Sequence, residues 1–273
     1  MIRVRHCFIG LGLLAALSSC NSSDVKRCEC EAGAAPEAPA VTPILDTGKE
    51  LYTLPGLDHG LVQSPVNILS GGAVHGRHQV ALHYDHTAPE YIINKGTTIE
   101  LDFPTGGGSI TYDGKEFELL QLHFHTPSEH LIDGVTYPMS MHIVNRMTEE
   151  HSDGRPHYLV IAILFKMGAA NDFIGSFLEA VPLDPGTSAH LDPGAVYLDD
   201  LFPDDKMPQY FHYRGSLTTP PHTETVDWLV LKHVKEASPE QIQRINEIEG
   251  DNARHVQALY GRPIDDSVSY THL

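Results

Sequence analysis

The stretch Gln121-Leu122-His123-Phe124-His125 places two histidines where both could bind one metal ion. Side chains alternate across a β-strand, so as a strand this stretch presents His123 and His125 on one face and Leu122 and Phe124 on the other. Residues two apart on one face stand about 7 Å apart, which lets two imidazoles converge on an ion. The pair alone is a weak signal, because a buried histidine is more often an ordinary core residue.

Four further features favour a metal centre. His142 lies in the middle of a second strand-like segment, residues 140–145, and would join the pair if the two strands are neighbours. Three histidines without an acidic ligand leave one coordination position open, as in catalytic rather than structural zinc sites. Glu129 follows the pair on a turn, and Ser216-Leu217-Thr218-Thr219-Pro220-Pro221 supplies hydroxyl groups beside a rigid double proline.

The elements that would position these residues are mostly short strands. A continuous apolar run at 158–166 predicts a central strand buried on both faces. Helices are predicted over 171–180, capped by Asn171, and from Ser238, where capping-box spacing and a proline open a helix that ends at Gly250. The remaining strands are predicted from alternating or short apolar runs at 80–84, 91–94, 98–103, 109–112, 117–126, 140–145 and 228–232. Many strands, few helices and no repeat predict a mixed, β-dominated (α+β) single domain.

The charge of the chain argues against one class of partner. The 273 residues carry a formal net charge of -18 with 41% hydrophobic content. Binding to nucleic-acid phosphates requires a basic surface, so the sequence predicts no nucleic-acid partner. The composition leaves the oligomeric state open.

The N-terminus has the features of a targeting segment. Arg3 and Arg5 precede an apolar run over residues 8–17 that is too short to span a membrane as a mature helix. The following Leu17-Ser18-Ser19-Cys20 resembles the lipobox of bacterial lipoproteins, in which the cysteine carries the lipid. We therefore predict a signal peptide over 1–19 and a lipid anchor at Cys20, with an ordinary secretory signal cleaved near Ser19 as the alternative. An exported lipoprotein, periplasmic or at the cell surface, is expected.

The segment after the signal differs in composition from the rest of the chain. Residues 20–44 are rich in Ala, Pro, Glu and Ser and predict a disordered tether, which leaves 45–273 as the catalytic domain. Cys28 and Cys30 fall in the tether, and no cysteine occurs from Glu31 onward. The sequence therefore predicts a catalytic domain without a disulfide, even though the chain is exported.

The motifs and their order resemble those of the α-class carbonic anhydrases. The resemblance implies a single domain built on a large, mostly antiparallel twisted sheet with a few peripheral helices. It also implies a zinc ion in a conical cleft. The matching segments are Gln63-Ser64-Pro65-Val66-Asn67-Ile68, residues 121–130, Met141-His142-Ile143-Val144, Leu164-Phe165-Lys166-Met167-Gly168, and Tyr213-Arg214-Gly215 followed by residues 216–221.

The activity implied by this resemblance is that of a zinc lyase, the reversible hydration of carbon dioxide to bicarbonate and a proton. His123, His125 and His142 would bind Zn²⁺, and zinc-bound hydroxide would attack carbon dioxide. Thr218 would accept the hydroxide proton and donate its own to Glu129, while its backbone N–H meets the developing anion.

The resemblance assigns further residues to the cleft. Gln121 would accept a hydrogen bond from a zinc-bound imidazole, and Ser140 occupies the position of a glutamate that orients the third ligand. Thr219 would line the cleft. The apolar wall that holds carbon dioxide would consist of Val144, Val160, Leu217 and Trp228.

Several positions depart from the family pattern. Thr97 stands where the proton-shuttle histidine is usual, so we predict turnover that depends strongly on added buffer. The candidates for a substitute shuttle are His59, His75 and His222. Ser140 accepts a hydrogen bond more weakly than a carboxylate, which predicts a lowered zinc affinity.

Two structural features of the family are also missing. The Trp- and Gly-rich family N-terminus has no match in residues 40–60, so the cleft rim is expected to be open or rebuilt. Many exported bacterial members have a disulfide that runs from near the Gln63-Ser64-Pro65 segment to just after the double proline, where this chain has His222. We therefore expect packing alone to hold the Thr218 loop.

Two alternatives to a dedicated carbonic anhydrase follow from the same motifs. A catalytically weak or silent relative that binds a partner at the cell surface would typically have lost a zinc histidine, and all three remain here. An esterase could use the same zinc chemistry, but the chain has no Gly-x-Ser-x-Gly nucleophile motif.

Overall fold

Sixteen strands and two α-helices make up the part of the chain that the computed structural model describes, residues 60–84, 86–202 and 206–267. The helices are α1 (Asp172–Phe177) and α2 (Pro239–Glu249), and 3₁₀ turns cover Ser70–Gly72, Leu178–Ala180 and Leu198–Leu201. The strands are β1 (Asn67–Ile68), β2 (Val74–Gly76), β3 (Val80–His83), β4 (Tyr91–Asn94), β5 (Ile99–Asp102), β6 (Ser109–Tyr112), β7 (Lys115–His125), β8 (Leu131–Ile132), β9 (Val135–Thr136), β10 (Met139–Met147), β11 (Tyr158–Met167), β12 (Thr187–His190), β13 (Tyr210–Gly215), β14 (Val226–Leu231), β15 (Lys235–Ala237) and β16 (Asp265–Ser267).

Several predictions concern residues outside this description. They are the signal peptide over 1–19, the tether over 20–44, the lipid site at Cys20, and the candidate shuttle His59. The described residues all belong to the predicted catalytic domain, whose boundaries stay predictions.

A thirteen-stranded sheet dominates the described residues, which confirms the predicted β-rich architecture. Its main path runs β12-β4-β5-β7-β10-β11-β14-β13-β16-β2, with β6 and β3 attached beside β7 and with β15 beside β11. The pairs β11–β14, β11–β15 and β16–β2 are parallel, and the other pairs of this sheet are antiparallel. A small second sheet contains β1, β8 and β9.

Strand β11 is buried on both faces, as its continuous apolar run predicts. Leu159, Ile161 and Ile163 pack into one apolar cluster, whereas Val160 and Ala162 between them pack into the other. Each fully buried aliphatic side chain stabilises the fold by about 1.5–3 kcal/mol. The strand therefore forms a rigid centre, and the strands that carry the histidines pack beside it.

Both predicted helices form with the predicted caps. The Asn171 side chain accepts a hydrogen bond from Ile174 N–H at 3.2 Å, and α1 gives way to a 3₁₀ turn after Phe177. In α2, Ser238 and Gln241 form both hydrogen bonds of a capping box. Gly250 ends α2 at φ +69, a conformation that glycine adopts without strain. A cap of this kind stabilises a helix by about 1 kcal/mol.

Candidate metal centre

Strands β7 and β10 bring the three predicted ligands together. They pair antiparallel, so that His142 lies directly opposite His123 and Ser140 lies opposite His125. The ring centroids are 4.9 Å apart for His123 and His125, 5.3 Å for His123 and His142, and 4.6 Å for His125 and His142. One ligand atom from each histidine lies within 4.8 Å of the other two. The ladder register thus creates a three-histidine cluster from two separate segments.

The electrostatics of the cluster favour neutral imidazoles. Burial lowers the pKa of His123 well below 6.5, and the nearby His125 and Lys95 lower it further. Burial also lowers the pKa of His142 well below 6.5, with added contributions from the neighbouring histidines. A neutral imidazole has a lone pair available for a metal ion, so both residues are ready to act as ligands at pH 7.

The hydrogen bonds around the rings leave nitrogens free for a metal. His123 Nδ1 lies 2.9 Å from Gln121 Oε1, so that its N–H donates to Gln121 and its Nε2 keeps a lone pair. Both ring nitrogens of His125 and Nε2 of His142 are buried without a hydrogen-bond partner within the described residues. Buried polar atoms are rarely left unpaired, and a cation between the rings would satisfy such atoms. Three nitrogen donors with no acidic ligand fit a catalytic zinc ion.

Ser140 makes a different contact from the one that its position suggests. Its hydroxyl accepts a hydrogen bond from Glu129 N–H at 3.4 Å, and His142 Nε2 keeps no partner in the described part of the chain. Ser140 therefore supports the Glu129 turn and does not orient the His142 ring.

Glu129 is buried beside two of the histidines. Its Oε1 accepts a hydrogen bond from Arg254 N–H at 3.0 Å and lies 3.6 Å from His125 Nδ1. Its Oε2 lies 3.8 Å from His142 Nδ1 and has no hydrogen-bond partner among the described residues. Thr218 is also buried, but no hydrogen bond joins it to Glu129 in the portion described here. Glu129 Oε2 is therefore available to accept a hydrogen bond.

A polar network positions the loop of Thr218. Ser64 N–H donates to Ser216 Oγ at 3.0 Å, and Ser216 N–H donates back to Ser64 Oγ at 3.1 Å. Trp228 Nε1–H donates to Ser216 O at 3.1 Å. At Gly215, a Cβ atom would lie 2.0 Å from Ser64 Oγ, so only glycine allows this close approach. Ser64, Gly215 and Ser216 lie in the matching motifs, but the sequence gives them no individual role, whereas Trp228 is predicted only as part of the apolar wall.

A buried histidine extends this network toward the metal cluster. Tyr213 Oη–H donates to Ser64 Oγ at 2.9 Å, and His130 Nε2–H donates to Tyr213 Oη at 2.6 Å. Burial, followed by the neighbouring His125, lowers the pKa of His130 to about 3, so the ring is neutral. His130 therefore acts as a fixed hydrogen-bond donor behind the cluster.

The expectation that packing alone holds the Thr218 loop is wrong. Glu224, on the same loop, accepts hydrogen bonds at Oε1 from Val62 N–H at 2.7 Å and from Gln63 Nε2 at 2.8 Å. Gln63 Nε2 also donates to His222 O at 3.2 Å, and Arg262 donates to Gln63 O at 2.7 Å. Charge-assisted hydrogen bonds therefore join the two segments that the resemblance associates with a disulfide.

The predicted apolar wall lies beside the histidines. Val144, Val160 and Trp228 face one another on β10, β11 and β14, and all three are buried. Leu217 packs against the same cluster, and the Trp228 ring lies 4.9 Å from the His142 ring. Thr219 is exposed at the loop. The wall and the metal cluster share one face of the sheet.

The usual position of the proton-shuttle histidine and the candidate substitute histidines lie in different parts of the structure. Thr97 is exposed, and its carbonyl accepts a hydrogen bond from Asn252 Nδ2 at 2.8 Å. His75 is exposed on β2, five strands from β10, on the order of 24 Å away at strand spacing. His222 is half-buried on the Thr218 loop. Of the two described candidates, only His222 lies in the segment that approaches the cluster.

No helix among the described residues is long and apolar enough to cross a membrane.

Comparison with known proteins identifies the relatives of this chain. The family model described as eukaryotic-type carbonic anhydrase matches residues 54–268. The carbonic anhydrase of Neisseria gonorrhoeae is 36% identical over 209 residues, which cover 75% of this chain and 77% of that protein. The carbonic anhydrase of Nostoc is 33% identical over 213 residues, covering 77% of each chain.

Solved structures show the same relationship. The α-carbonic anhydrase of Thermovibrio ammonificans, determined with the inhibitor sulfanilamide, matches with a TM-score of 0.67 and 35% identity. The match covers 75% of this chain and 87% of that chain. The α-carbonic anhydrase of Photobacterium profundum matches with a TM-score of 0.65 and 32% identity, over 75% of this chain and 89% of that chain.

Proposed function

The chain belongs to the eukaryotic-type, or α-class, carbonic anhydrases, and from this premise we propose that His123, His125 and His142 hold a catalytic zinc ion. Carbonic anhydrases interconvert carbon dioxide and bicarbonate, and the proposal concerns how this chain does so. One observation carries it: three imidazoles converge within 4.8 Å, and three of their buried ring nitrogens have no hydrogen-bond partner among the described residues.

The residues around the cluster are arranged to support that chemistry. Bound zinc lowers the pKa of a water molecule from 15.7 to about 7, which supplies a nucleophile at neutral pH. Gln121 fixes the tautomer of His123, so its Nε2 is presented as the donor atom. Glu129 keeps Oε2 open as an acceptor, and we propose that the Thr218 hydroxyl donates to it when substrate is bound. The Thr218 backbone N–H would then face the developing negative charge.

The apolar wall and the loop provide the substrate site. Val144, Val160 and Trp228 offer a dry surface next to His142, which suits carbon dioxide because that molecule is small and has no net dipole. The hydrogen bonds of Ser64 and Ser216 hold the Thr218 loop against this wall. With Thr97 in place of a shuttle histidine, we propose that the proton released by the reaction passes to buffer.

Stopped-flow carbon dioxide hydration tests the proposal, with zinc quantified in the same samples and buffer varied. After dialysis we expect one zinc per chain and a rate that rises with buffer concentration. His142→Ala should lose both zinc and activity. His83→Ala, which changes an exposed histidine on β3, serves as the matched control and should keep both. One zinc per chain with no hydration at saturating buffer would overturn the proposed function.

We also propose that the chain is exported and anchored in a membrane, in the periplasm or at the cell surface, by a lipid on Cys20. The support is the basic start, the apolar run and the Leu17-Ser18-Ser19-Cys20 motif. In bacterial fractionation, the full chain should be found with membranes and Cys20→Ala in the aqueous fraction. Cys28→Ala is the control and should stay with membranes. Membrane retention of Cys20→Ala would contradict the anchor.

A further inference from the structure

A second group of histidines lies on the opposite face of the sheet from the metal centre. Tyr213 on β13 points toward His130 and the catalytic cluster, so the preceding residue, His212, points to the other face. There His212 lies opposite Asp265 of β16 and packs against His78, which follows β2, with ring centroids 4.6 Å apart. One ligand atom from each of His78, His212 and Asp265 lies within 4.8 Å of the others.

Both imidazoles point at the same carboxylate oxygen. His78 Nε2 lies 3.4 Å and His212 Nδ1 lies 3.2 Å from Asp265 Oδ2. The three atoms therefore surround one point, although they come from segments far apart in the sequence. Two nitrogens and one oxygen in this arrangement resemble the ligand sets of first-row transition metals, whereas Mg²⁺ and Ca²⁺ prefer oxygen alone.

The outer nitrogens of both rings are also bound to carboxylates. His78 Nδ1 lies 2.7 Å from Asp113 Oδ2, and His212 Nε2 lies 3.0 Å from Asp227 Oδ1. When each outer nitrogen donates its proton to a carboxylate, the inner nitrogen keeps its lone pair and faces Asp265. Metal-bound histidines usually have such a carboxylate behind them, which fixes the tautomer and the ring orientation. Burial lowers the pKa of His212, but its hydrogen bonds to Asp227 and Asp265 raise that pKa overall, so a proton can occupy the inner nitrogen and pair with Asp265. A divalent cation held by all three inner atoms would take the place of that proton.

Tyr112 provides an independent observation. It is 6% exposed, and its hydroxyl has no hydrogen-bond partner in the described part of the chain. Its ring stacks on His78 at 5.0 Å and lies 5.5 Å from His212. Burial raises the pKa of Tyr112, and the carboxylates of Asp227, Asp113 and Asp265 raise it further. A buried, unpaired hydroxyl thus accompanies a cluster with three carboxylates and two histidines.

We propose that His78, His212 and Asp265 form a second cation site, selective for a first-row divalent metal such as Zn²⁺. Asp113 and Asp227 orient its two histidines. A cation there would join β13, β16 and the segment between β2 and β3, so its role would be structural. The other histidine–carboxylate group, His151, Asp153 and His157, is less suited, because Arg155 already donates to Asp153 Oδ2 at 3.0 Å.

Zinc titration of the full chain tests this site. The chain is first dialysed to one zinc per molecule, then titrated with Zn²⁺ by calorimetry, and its hydration activity is followed in parallel. We expect one further zinc to bind. His78→Ala and Asp265→Asn should abolish the second binding event but keep the first zinc and the activity. Asp113→Asn, which leaves all three ligands in place, should weaken the second site about 10- to 100-fold.

Two control variants make the assignment specific. His75→Ala changes an exposed histidine on β2, and His151→Ala disrupts the other cluster, so both should bind the second zinc like the parent chain. The proposal is overturned if no second zinc binds, if it binds equally to His78→Ala, or if His151→Ala removes it. Because the His78 side chain is 19% exposed, His78→Ala is expected to fold even if Asp265→Asn does not. Retained hydration activity would show that the His78→Ala variant is folded.

Discussion

A buried carboxyl group at the end of α2 predicts how the stability of this protein changes with pH. Glu249 is 5% exposed, and burial raises its pKa from 4.5 to about 8. Its Oε1 accepts a hydrogen bond from the Thr126 hydroxyl at 3.1 Å, and its Oε2 accepts one from Ile99 N–H at 3.4 Å. These bonds offset only part of the cost of burying the charge. The folded protein therefore keeps Glu249 protonated at neutral pH.

The size of the effect follows from linkage between proton binding and folding. The interval from 4.5 to about 8 spans about 3.5 pH units, and each is worth about 1.36 kcal/mol. The folded state binds this proton more tightly than the unfolded chain does. Its stabilising contribution is therefore complete below pH 4.5, falls through the interval and is lost by about pH 8. The free energy of unfolding should decline by about 5 kcal/mol over this range on account of Glu249.

Glu249→Gln removes this pH dependence while keeping the shape of the protonated side chain. The Thr126 hydroxyl lies 3.0 Å from Gly250 O, so it can donate there and accept from the new amide. Urea unfolding followed by the fluorescence of Trp228, the single tryptophan, measures both proteins from pH 5 to 9. The difference in free energy of unfolding, variant minus parent, should rise by several kcal/mol between pH 5 and 8.

Two features of this experiment keep its interpretation clear. Metal binding also depends on pH, but parent and variant share the same histidines, so that contribution cancels in the difference. Glu247→Gln, an exposed position on the same helix, is the control and should give a profile parallel to the parent. Parallel profiles for Glu249→Gln and the parent, within about 1 kcal/mol across the range, would falsify the argument that burial holds the proton on Glu249.

Three further changes have defined expected outcomes. Thr97→His should raise the hydration rate at low buffer concentration and leave it unchanged at saturating buffer; an increase at every buffer concentration would contradict the missing-shuttle reasoning. Ser140→Glu should give an acceptor to the His142 ring nitrogen that does not bind the metal and tighten zinc binding about 10- to 100-fold in competition with a chelator, and an unchanged affinity would count against it. Glu224→Ala removes two hydrogen bonds across the Thr218 loop, one of them from Gln63. It should lower the free energy of unfolding by about 1–3 kcal/mol in urea, and a loss as small as that of an exposed glutamate would show that packing suffices.

The strands that carry the metal centre could be predicted because their sequence pattern is strong. The apolar run of β11 reflects burial on both faces, and the alternation of β7 reflects side chains that alternate between the two faces of the sheet. Both patterns can be seen residue by residue in the sequence. Strands β13 and β16 were not predicted. In Tyr210–Gly215 aromatic and polar residues follow no clean alternation, and Asp265–Ser267 has no apolar residue. Both segments are strands because neighbouring strands supply hydrogen-bond partners.

The same reasoning explains which site residues could be found from the sequence. His123 and His125 are neighbours on one strand, so a local rule relates them. Their relation to His142 depends on the register of β7 and β10, and this register shifts by one residue after Val144. No local pattern fixes such a register, so the strand pattern makes His142 a candidate only if the two strands are neighbours, and the resemblance to a family assigns it as the third ligand.

The supporting polar contacts are harder still to predict, because each one joins distant segments. Ser64 and Ser216 are separated by 152 positions, yet each donates its N–H to the hydroxyl of the other. Hydroxyl and carboxylate side chains are common on any surface, so their types carry little information until the fold is known. The second histidine group illustrates the point: His78, His212 and Asp265 have no shared motif, and only the pairing of β16 with β13 and β2 brings them together. Sites built across strands, unlike sites built along one strand, must therefore be read from the structure.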